Sequence, residues 1–205
     1  TADCGTTADE EVALAADAGI DVIVTDHHHA DAVPSRATAV LNPNSPDSDY
    51  PFTGLSGVGV AYKFVQALAE EYPEKLPYPE TFLDLVALGT IADVVPLRDE
   101  NRGFVIDGLE VLRQGHRAGL RAIGAVAQRP IETVTSSDIG FGIAPRLNAA
   151  GRIAHAQLAL DLLREESASQ AEQQANELDA LNTERRQLTE DAVSVARQEV
   201  GDDPV

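Results

Sequence analysis

Two short apolar runs follow a helical segment near the start of the chain, and the order of these elements constrains the fold most. Residues 21–25 and 38–41 are rich in β-branched and aliphatic residues and are too short for helices, so they predict buried strands. Residues 7–18 precede the first run and predict a helix, with Thr7 opening a capping box and Gly19 ending the helix. Residues 1–5 resemble the tail of a further strand, so the order is strand–helix–strand–strand, which predicts an α/β fold with an open, mostly parallel sheet flanked by helices.

The remainder of the chain predicts mostly helix. The predicted helices lie at residues 54–71, 80–93, 102–114 and 117–128, and one long helix begins at Ser167. Prolines at 73, 77 and 79 predict a linker between the first two of them. We therefore predict one domain over residues 1–165 and a long connector helix over residues 166–205.

Composition narrows the class of protein. With 205 residues and 43% hydrophobic side chains, the chain can bury the core of one sizeable domain and is not a disordered tail. A single cysteine, Cys4, excludes an intramolecular disulfide and fits a reducing compartment. The most apolar segment, residues 82–97, carries two aspartates and is too short to span a bilayer. The sequence thus predicts a cytoplasmic protein with no membrane partner.

Charge is unevenly distributed along the chain. The net charge of −19 would repel the phosphates of a nucleic acid. However, eight of the 15 basic residues lie between positions 98 and 152, and all eight are arginines, the side chain best shaped for bidentate phosphate contact. The middle of the chain is therefore the part in which we expect phosphate to bind.

Polar side chains stand where the first predicted strands end. Asp3 lies before the helical segment, and Asp26, His27, His28 and His29 directly follow residues 21–25. The carboxyl ends of parallel strands share one edge of a sheet, where ligands gather, so these side chains should be neighbours. Imidazole and carboxylate together suit divalent transition metals, and an oxygen-rich set admits Mn²⁺ or Mg²⁺. The alternative for the histidines is a polar surface loop.

A third acidic residue, Asp93, lies in an almost wholly apolar stretch, residues 88–97. An unpaired carboxylate is costly to bury there, and a metal ion would supply the positive partner. The alternative is that Asp93 caps backbone amides at a helix end. The sequence favours the metal ligand.

Two further segments are candidates for phosphate contact. Residues 54–59, with Ser56 and Gly57, predict a glycine-rich helix N-terminus whose amides are free for an anion. They match neither the Walker A nor the dinucleotide fingerprint, and a tight entry into a helix is the alternative. Residues 140–153 place three polar side chains among small residues and predict a phosphate clamp, with helix-end salt bridges as the alternative. Those polar residues are Arg146, Asn148 and Arg152.

Five motifs stand along the chain in an order that resembles the DHH phosphoesterase superfamily. They are TADCG at residues 1–5, TDHH at 25–28, GLSGVG at 54–59, GTIADVVPL at 89–97 and PRLNAAGR at 145–152. Within the superfamily, the last two motifs are similar to the branch of single-strand-specific 5′→3′ exonucleases. The resemblance covers most of the chain, from Asp3 to about Arg152.

The resemblance implies phosphodiester hydrolysis with two Mn²⁺ or Mg²⁺ ions. By this likeness Asp3, His27 and Asp93 would be the metal ligands, and the two ions would share Asp3. Asp26 would not bind metal itself but would hydrogen-bond to the His27 ring and orient it, and His28 would face the scissile phosphate. His29 has no role in the motif.

The resemblance also implies partners. The substrate would be single-stranded DNA, in DNA repair or recombination, with phosphates neutralised by Arg146 and Arg152. A single-strand-binding protein or a helicase would be the candidate protein partner, and the enzyme would act as a monomer.

Parts of the family pattern are absent from this sequence. The family's first motif, an aspartate pair on a strand, would precede Thr1, and a DHHA1-type domain would follow Val205, so we expect this piece to be inactive alone. Two alternatives stay open: a phosphoesterase for small substrates such as oligoribonucleotides or nucleoside bisphosphates, and a non-catalytic scaffold in a replication complex. The GTIADVVPL and PRLNAAGR motifs favour the exonuclease over the first alternative. The intact set of polar residues argues against the scaffold.

Overall fold

A computed structural model describes residues 1–76 and 78–200 of the chain. Their contacts divide the chain into two compact units, the first comprising Thr1–Leu112 and the second beginning at Arg113. This division lies well before the domain boundary at 165/166 that the sequence suggested.

The first unit contains the predicted parallel sheet. Strands β1 (Ile23–Thr25) and β2 (Ala39–Leu41) pair in parallel, with Val24 opposite Val40. Ala2 forms an isolated parallel bridge with Thr25 on the other side of β1. Three parallel segments thus lie side by side, which confirms the predicted α/β class.

Helix α1 (Asp9–Asp17) connects the first parallel segment to β1. Gly19, with φ 76°, follows its end as predicted. The predicted capping box is wrong, because the N-cap residue is Ala8 and makes no side-chain cap bond. Three acidic residues in the first turn, Asp9, Glu10 and Glu11, complement the helix dipole instead.

Three longer helices complete the first unit. They are α2 (Gly57–Glu71), α3 (Leu83–Ala92) and α4 (Asp99–Arg113), with a 3-10 turn at Pro79–Phe82 before α3. Of the predicted linker prolines, Pro79 begins that turn, whereas Pro77 lies outside the described residues.

The core of this region is apolar and well packed. Tyr62 of α2 meets Phe104 of α4 edge to face, with ring centroids 5.3 Å apart, and Val86 of α3 is buried in the same cluster. A Cβ atom at Gly108 would overlap the carbonyl of Leu83, so this glycine allows α4 to lie directly against α3. The close approach matters because α3 carries Asp93 at its end.

The second unit is helical. It contains α5 (Ala118–Val126), a 3-10 turn at Ile131–Thr133, α6 (Ser136–Asp138), a π-helical segment at Ile139–Ile143, α7 (Ala144–Ile153), α8 (Gln157–Arg164) and α9 (Ala168–Val200). Helix α9 packs its first half against α5 and α7 through small apolar residues, Ala171 and Ala175, and through Leu178. This is the long helix that the sequence predicted; residues 201–205 of the predicted connector lie outside the described part of the chain. Among the described residues, no helix combines the length and hydrophobicity that a bilayer crossing requires.

Candidate metal centre

Three segments of the first unit bring side chains to one place. The backbone amide of Asp3 donates to the carbonyl of Thr25 at 2.8 Å, so Asp3 ends its segment beside the end of β1. Asp26 and His27 follow β1 directly, and Asp93 is the residue at the end of α3. Parallel strands bring their carboxyl ends to a common edge, which is why residues far apart in sequence meet here.

The other two predicted ligands, Asp3 and Asp93, lie beside the ring of His27. Its Nε2 atom is 3.1 Å from Oδ1 of Asp3 and 3.5 Å from Oδ2 of Asp93. The ligand atoms that Asp3, His27 and His28 offer lie within 4.8 Å of one another. A carboxylate–imidazole cluster thus forms from separate segments, and His28, which was not a predicted ligand, is the third member of this mutually close group.

A backbone carbonyl sets the orientation of the His27 ring. Nδ1 lies 3.0 Å from the carbonyl oxygen of Leu55, which can only accept a hydrogen bond, so Nδ1 carries the hydrogen. In the neutral ring this leaves the lone pair on Nε2, which is buried and has no hydrogen-bond partner within the described structure. A buried lone pair that faces two carboxylates fits a divalent cation.

Asp26 orients the second histidine, not the first as expected. It is 2% exposed, and its Oδ1 accepts from Nδ1 of His28 at 2.7 Å and from the backbone amide of His27 at 2.7 Å. Oδ2 accepts from the amide and the hydroxyl of Thr6 at 3.0 and 2.7 Å. The His27 ring points the other way, because its Nδ1 is bonded to Leu55. Burial alone would raise the pKa of Asp26, but these hydrogen bonds together hold it well below its ordinary value.

His28 is held by Asp26 and faces solvent. The hydrogen bond to Asp26 raises the pKa of His28, against the opposing effect of burial, and the negative charges of Asp26, Asp3 and Asp93 raise it further. Because Nδ1 is fixed by Asp26, Nε2 is the nitrogen free for a ligand. The ring can therefore present a proton or a positive charge beside the His27 ring, whose centroid is 4.5 Å away.

Asp93 is less buried than its apolar sequence context suggested. Helix α3 ends at Ala92, and the Asp93 side chain is 38% exposed at this helix end. Burial is nevertheless the largest influence on its carboxyl group and raises its pKa, and the charge of Asp3 acts in the same direction. A cation between Asp3 and Asp93 would relieve this repulsion.

The glycine-rich loop before α2 caps that helix through Ser56 and makes room for the Asp3 side chain at Gly57, which the sequence did not reveal. The buried hydroxyl of Ser56 accepts from the amide of Gly59 at 3.2 Å and lies 3.0 Å from the hydroxyl of Thr90. It is therefore used as the helix cap and is not open to a phosphate, contrary to our expectation. Gly57 lies directly against the side chain of Asp3, where a Cβ atom would overlap the carboxylate.

The predicted phosphate clamp lies in the second unit. Arg146 donates from Nε to Asp179 at 2.8 Å and from an Nη atom to the carbonyl of Gly142 at 2.7 Å. This is the salt bridge that the alternative interpretation describes. Asn148 and Arg152 lie exposed on the same helix, α7.

The sequence reasoning missed two asparagines beside the histidines. Asn42 donates to the carbonyl of His28 and to the hydroxyl of Thr6, both at 2.9 Å, and Asn44 donates to the carbonyl of His27 at 2.7 Å. Asn42 directly follows β2 and Asn44 lies two residues further on, so the signal that marked Asp3 and Asp26, a polar residue directly after a strand, would have found Asn42.

Replacing Gly57 by Ala is expected to weaken Mn²⁺ binding about tenfold or more, because the new methyl group must displace the Asp3 carboxylate. Isothermal titration of the complete protein with MnCl₂ measures the effect. Gly103→Ala is the matched control, since a Cβ atom at Gly103 in α4 would meet nothing within 4 Å. Equal Mn²⁺ affinities for the two variants would contradict the prediction.

The fold and the cluster together define an α/β protein with a candidate divalent-metal centre at the carboxyl edge of a parallel sheet. Comparison with known proteins narrows this class. Residues 1–90 match the model of the DHH family, N-terminal domain, which confirms the resemblance of the motifs in that part of the chain.

The chain is similar to several single-stranded-DNA-specific exonucleases named RecJ. It is 42% identical to the one from Bacillus subtilis over 203 residues, covering 97% of this chain and 25% of that protein. It is 41% identical to the one from Escherichia coli over 199 residues, covering 92% of this chain and 34% of that protein. The chain thus spans about a quarter to a third of these relatives.

Solved structures agree with the sequence comparison. A crystal structure of exonuclease RecJ bound to manganese superposes with a TM-score of 0.86 at 36% identity, covering 97% of this chain and 50% of that one. RecJ from Thermus thermophilus in complex with Mn²⁺ gives a TM-score of 0.83 at 36% identity, covering 95% of this chain and 29% of that one.

Proposed function

We propose that this chain forms the metal-binding part of an enzyme that hydrolyses single-stranded DNA from its 5′ end, in DNA repair or recombination. The observation that carries the proposal is the buried Nε2 of His27, which has no hydrogen-bond partner in the described part of the chain and faces Asp3 and Asp93. The similarity to RecJ exonucleases supports the substrate and the direction of digestion.

In this proposal Asp3, His27 and Asp93 hold divalent cations, Mn²⁺ or Mg²⁺. Two solved structures of RecJ relatives contain manganese, and a third is a complex with Mg²⁺. When bound, such cations neutralise charge on the phosphate and activate a water molecule. The mixed imidazole and carboxylate donors of this cluster accept either ion and suit Mn²⁺ better, because imidazole is the softer ligand.

Asp26 and His28 act as a pair in the proposed reaction. Asp26 fixes the His28 ring through Nδ1, which leaves Nε2 available to a phosphate oxygen of the substrate. The raised pKa of His28 favours its protonated form, which can donate a hydrogen bond or a proton to a leaving oxygen. The buried hydrogen bonds of Asp26 keep the ring in one orientation before the substrate binds.

Several further assignments belong to the proposal. The amide of Gly57 at the N-terminus of α2 and the exposed side chains of Asn148 and Arg152 are proposed phosphate contacts. Arg146 would have to exchange its salt bridge with Asp179 for a phosphate to serve as a third. Helix α9 is the proposed connector to a further domain. The enzyme is proposed to act as a cytoplasmic monomer, with a single-strand-binding protein or a helicase as partner.

The decisive experiment compares substrates with the complete protein. Single-stranded DNA labelled at the 5′ end should release labelled mononucleotide at once in Mn²⁺, whereas a 3′ label should appear in mononucleotides only late. Duplex DNA and dinucleotides should be poor substrates, and EDTA should stop the reaction. Faster hydrolysis of dinucleotides would favour a small-substrate phosphoesterase. Metal binding without hydrolysis of any of these would favour the scaffold.

A further inference from the structure

We propose that Asn101 is a positioning residue of the metal centre, which keeps Asp93 and the His27 ring in their relative places. The inference rests on the proposed metal-binding function. Asn101 lies in the first turn of α4 and touches neither of the two ligands; it acts through the backbone segments that carry or orient them.

The amide of Asn101 joins two separate segments. Its Nδ2 donates to the carbonyl of Gly54 at 2.6 Å and to the carbonyl of Pro96 at 3.0 Å. Both partners can only accept, so the orientation of the amide is unambiguous. Gly54 precedes Leu55, whose carbonyl orients the His27 ring, and Pro96 lies three residues after Asp93.

The burial of Asn101 indicates that these two hydrogen bonds, and not packing, explain an asparagine at this position. The residue is 0% exposed, and its Oδ1 has no hydrogen-bond partner among the described atoms. A buried unpartnered oxygen costs about 1–3 kcal/mol, so an apolar side chain would suit this place better if packing were all that mattered. What an apolar side chain cannot supply is the pair of N–H donors.

The turn that Asn101 anchors links α3 to α4, from Asp93 to the start of α4 at Asp99, and its backbone is strained at both ends. Val94 has φ 59° and Asp99 has φ 47°, both in the left-handed region that is costly for residues other than glycine, and most of all for a β-branched one. Val94 is also 87% exposed, so packing of its side chain does not impose this conformation. The turn therefore depends on its hydrogen bonds, and Asp93 is its first residue.

The helix that presents Asn101 is itself fixed. The neighbouring Glu100 accepts from the hydroxyl of Tyr50 at 2.7 Å and pairs with the ammonium group of Lys63 in α2 at 3.1 Å. These two contacts of Glu100 hold the start of α4, from which the Asn101 side chain extends.

A second link joins the same loop to α3. The hydroxyls of Ser56 and Thr90 are 3.0 Å apart, and both residues are fully buried. Because this link remains when Asn101 is replaced, we expect the variants to fold, with the turn after Asp93 relaxed.

The test measures Mn²⁺ affinity in the complete protein by isothermal titration calorimetry. Asn101→Ala is expected to weaken Mn²⁺ binding about 10–100-fold, the range found when a residue that orients a ligand is removed. Asn101→Leu keeps the volume of the side chain and removes both donors, so it should weaken binding similarly without opening a cavity. Asn182→Ala is the matched control, because Asn182 is also buried and hydrogen-bonded but lies in α9.

Melting temperatures measured with and without Mn²⁺ separate positioning from stability. In the Asn101 variants the stabilisation by Mn²⁺ should shrink, whereas Asn182→Ala should lower both melting temperatures by the same amount. Wild-type Mn²⁺ affinity in a folded Asn101→Leu variant would overturn the inference while leaving the metal centre intact. Failure of the wild-type protein to bind Mn²⁺ would overturn the metal centre itself, and this inference with it.

Discussion

Replacing His27 by Ala in the complete protein is expected to reduce hydrolysis of single-stranded DNA by at least about 10³-fold, with little change in the folded structure. The ring supplies the buried nitrogen that faces both carboxylates, 3.1 Å from Asp3 and 3.5 Å from Asp93. Without it, the two carboxylates would repel each other and bind a cation poorly. Asp3→Ala and Asp93→Ala should have effects of the same order.

Initial rates on a 5′-labelled strand in Mn²⁺ measure this loss, and circular dichroism checks the fold. His29→Ala is the matched control, because His29 is an exposed histidine of the same segment with no role in the proposed centre. Its rate should stay within about twofold of the wild type. Turnover at the wild-type rate in the His27, Asp3 or Asp93 variant would remove the basis of the assignment.

Replacing Asp26 by Ala is expected to lower the free energy of unfolding by about 3–5 kcal/mol, the range found when one partner of a buried charged network is removed. The carboxylate accepts hydrogen bonds from Thr6, His27 and His28 and is almost fully buried. Its loss leaves the amides of Thr6 and His27 unpaired in the interior. Denaturation in urea at neutral pH measures the change.

The pH dependence of this effect has a definite sign. Because the pKa of Asp26 is lowered in the folded protein, its contribution is complete above its ordinary pKa of 3.8 and is lost as the pH falls through the folded value. The pKa of His28 is raised by the same contact, so that contribution is complete below its ordinary value of 6.5 and is lost as the pH rises through the folded value. The difference between the wild type and Asp26→Asn should therefore be largest between these two ordinary values.

Asp138→Ala is the control for this experiment. Asp138 also accepts two hydrogen bonds from a threonine, Thr135, but it lies at an exposed helix start, so its replacement should cost much less stability. Equal losses for Asp26→Ala and Asp138→Ala would show that the buried network contributes nothing special.

Much of the first unit could be predicted because its signals are local. The run around Val24 is buried and β-branched, which is enough to indicate a strand, and the acids after parallel strands must share an edge. The position of Asp93 was harder. Its apolar neighbours suggested burial, but α3 ends one residue earlier and leaves the carboxylate partly exposed. Where a helix ends depends on the turn that follows it, here the strained turn at Val94, and an apolar composition does not reveal such a turn.

By itself, the amino-acid sequence determined the strand–helix rhythm, the resemblance to the DHH family and the chemical types of the proposed ligands, since side-chain chemistry and short-range periodicity are properties of the chain alone. Only the tertiary structure decided which group orients which ring: the carbonyl of Leu55 holds His27, while Asp26 holds His28. Every residue carries the same backbone carbonyl, so nothing in the sequence distinguishes the one at Leu55. The same holds for Asn101, whose two partners are also carbonyls and become neighbours only when the chain is folded.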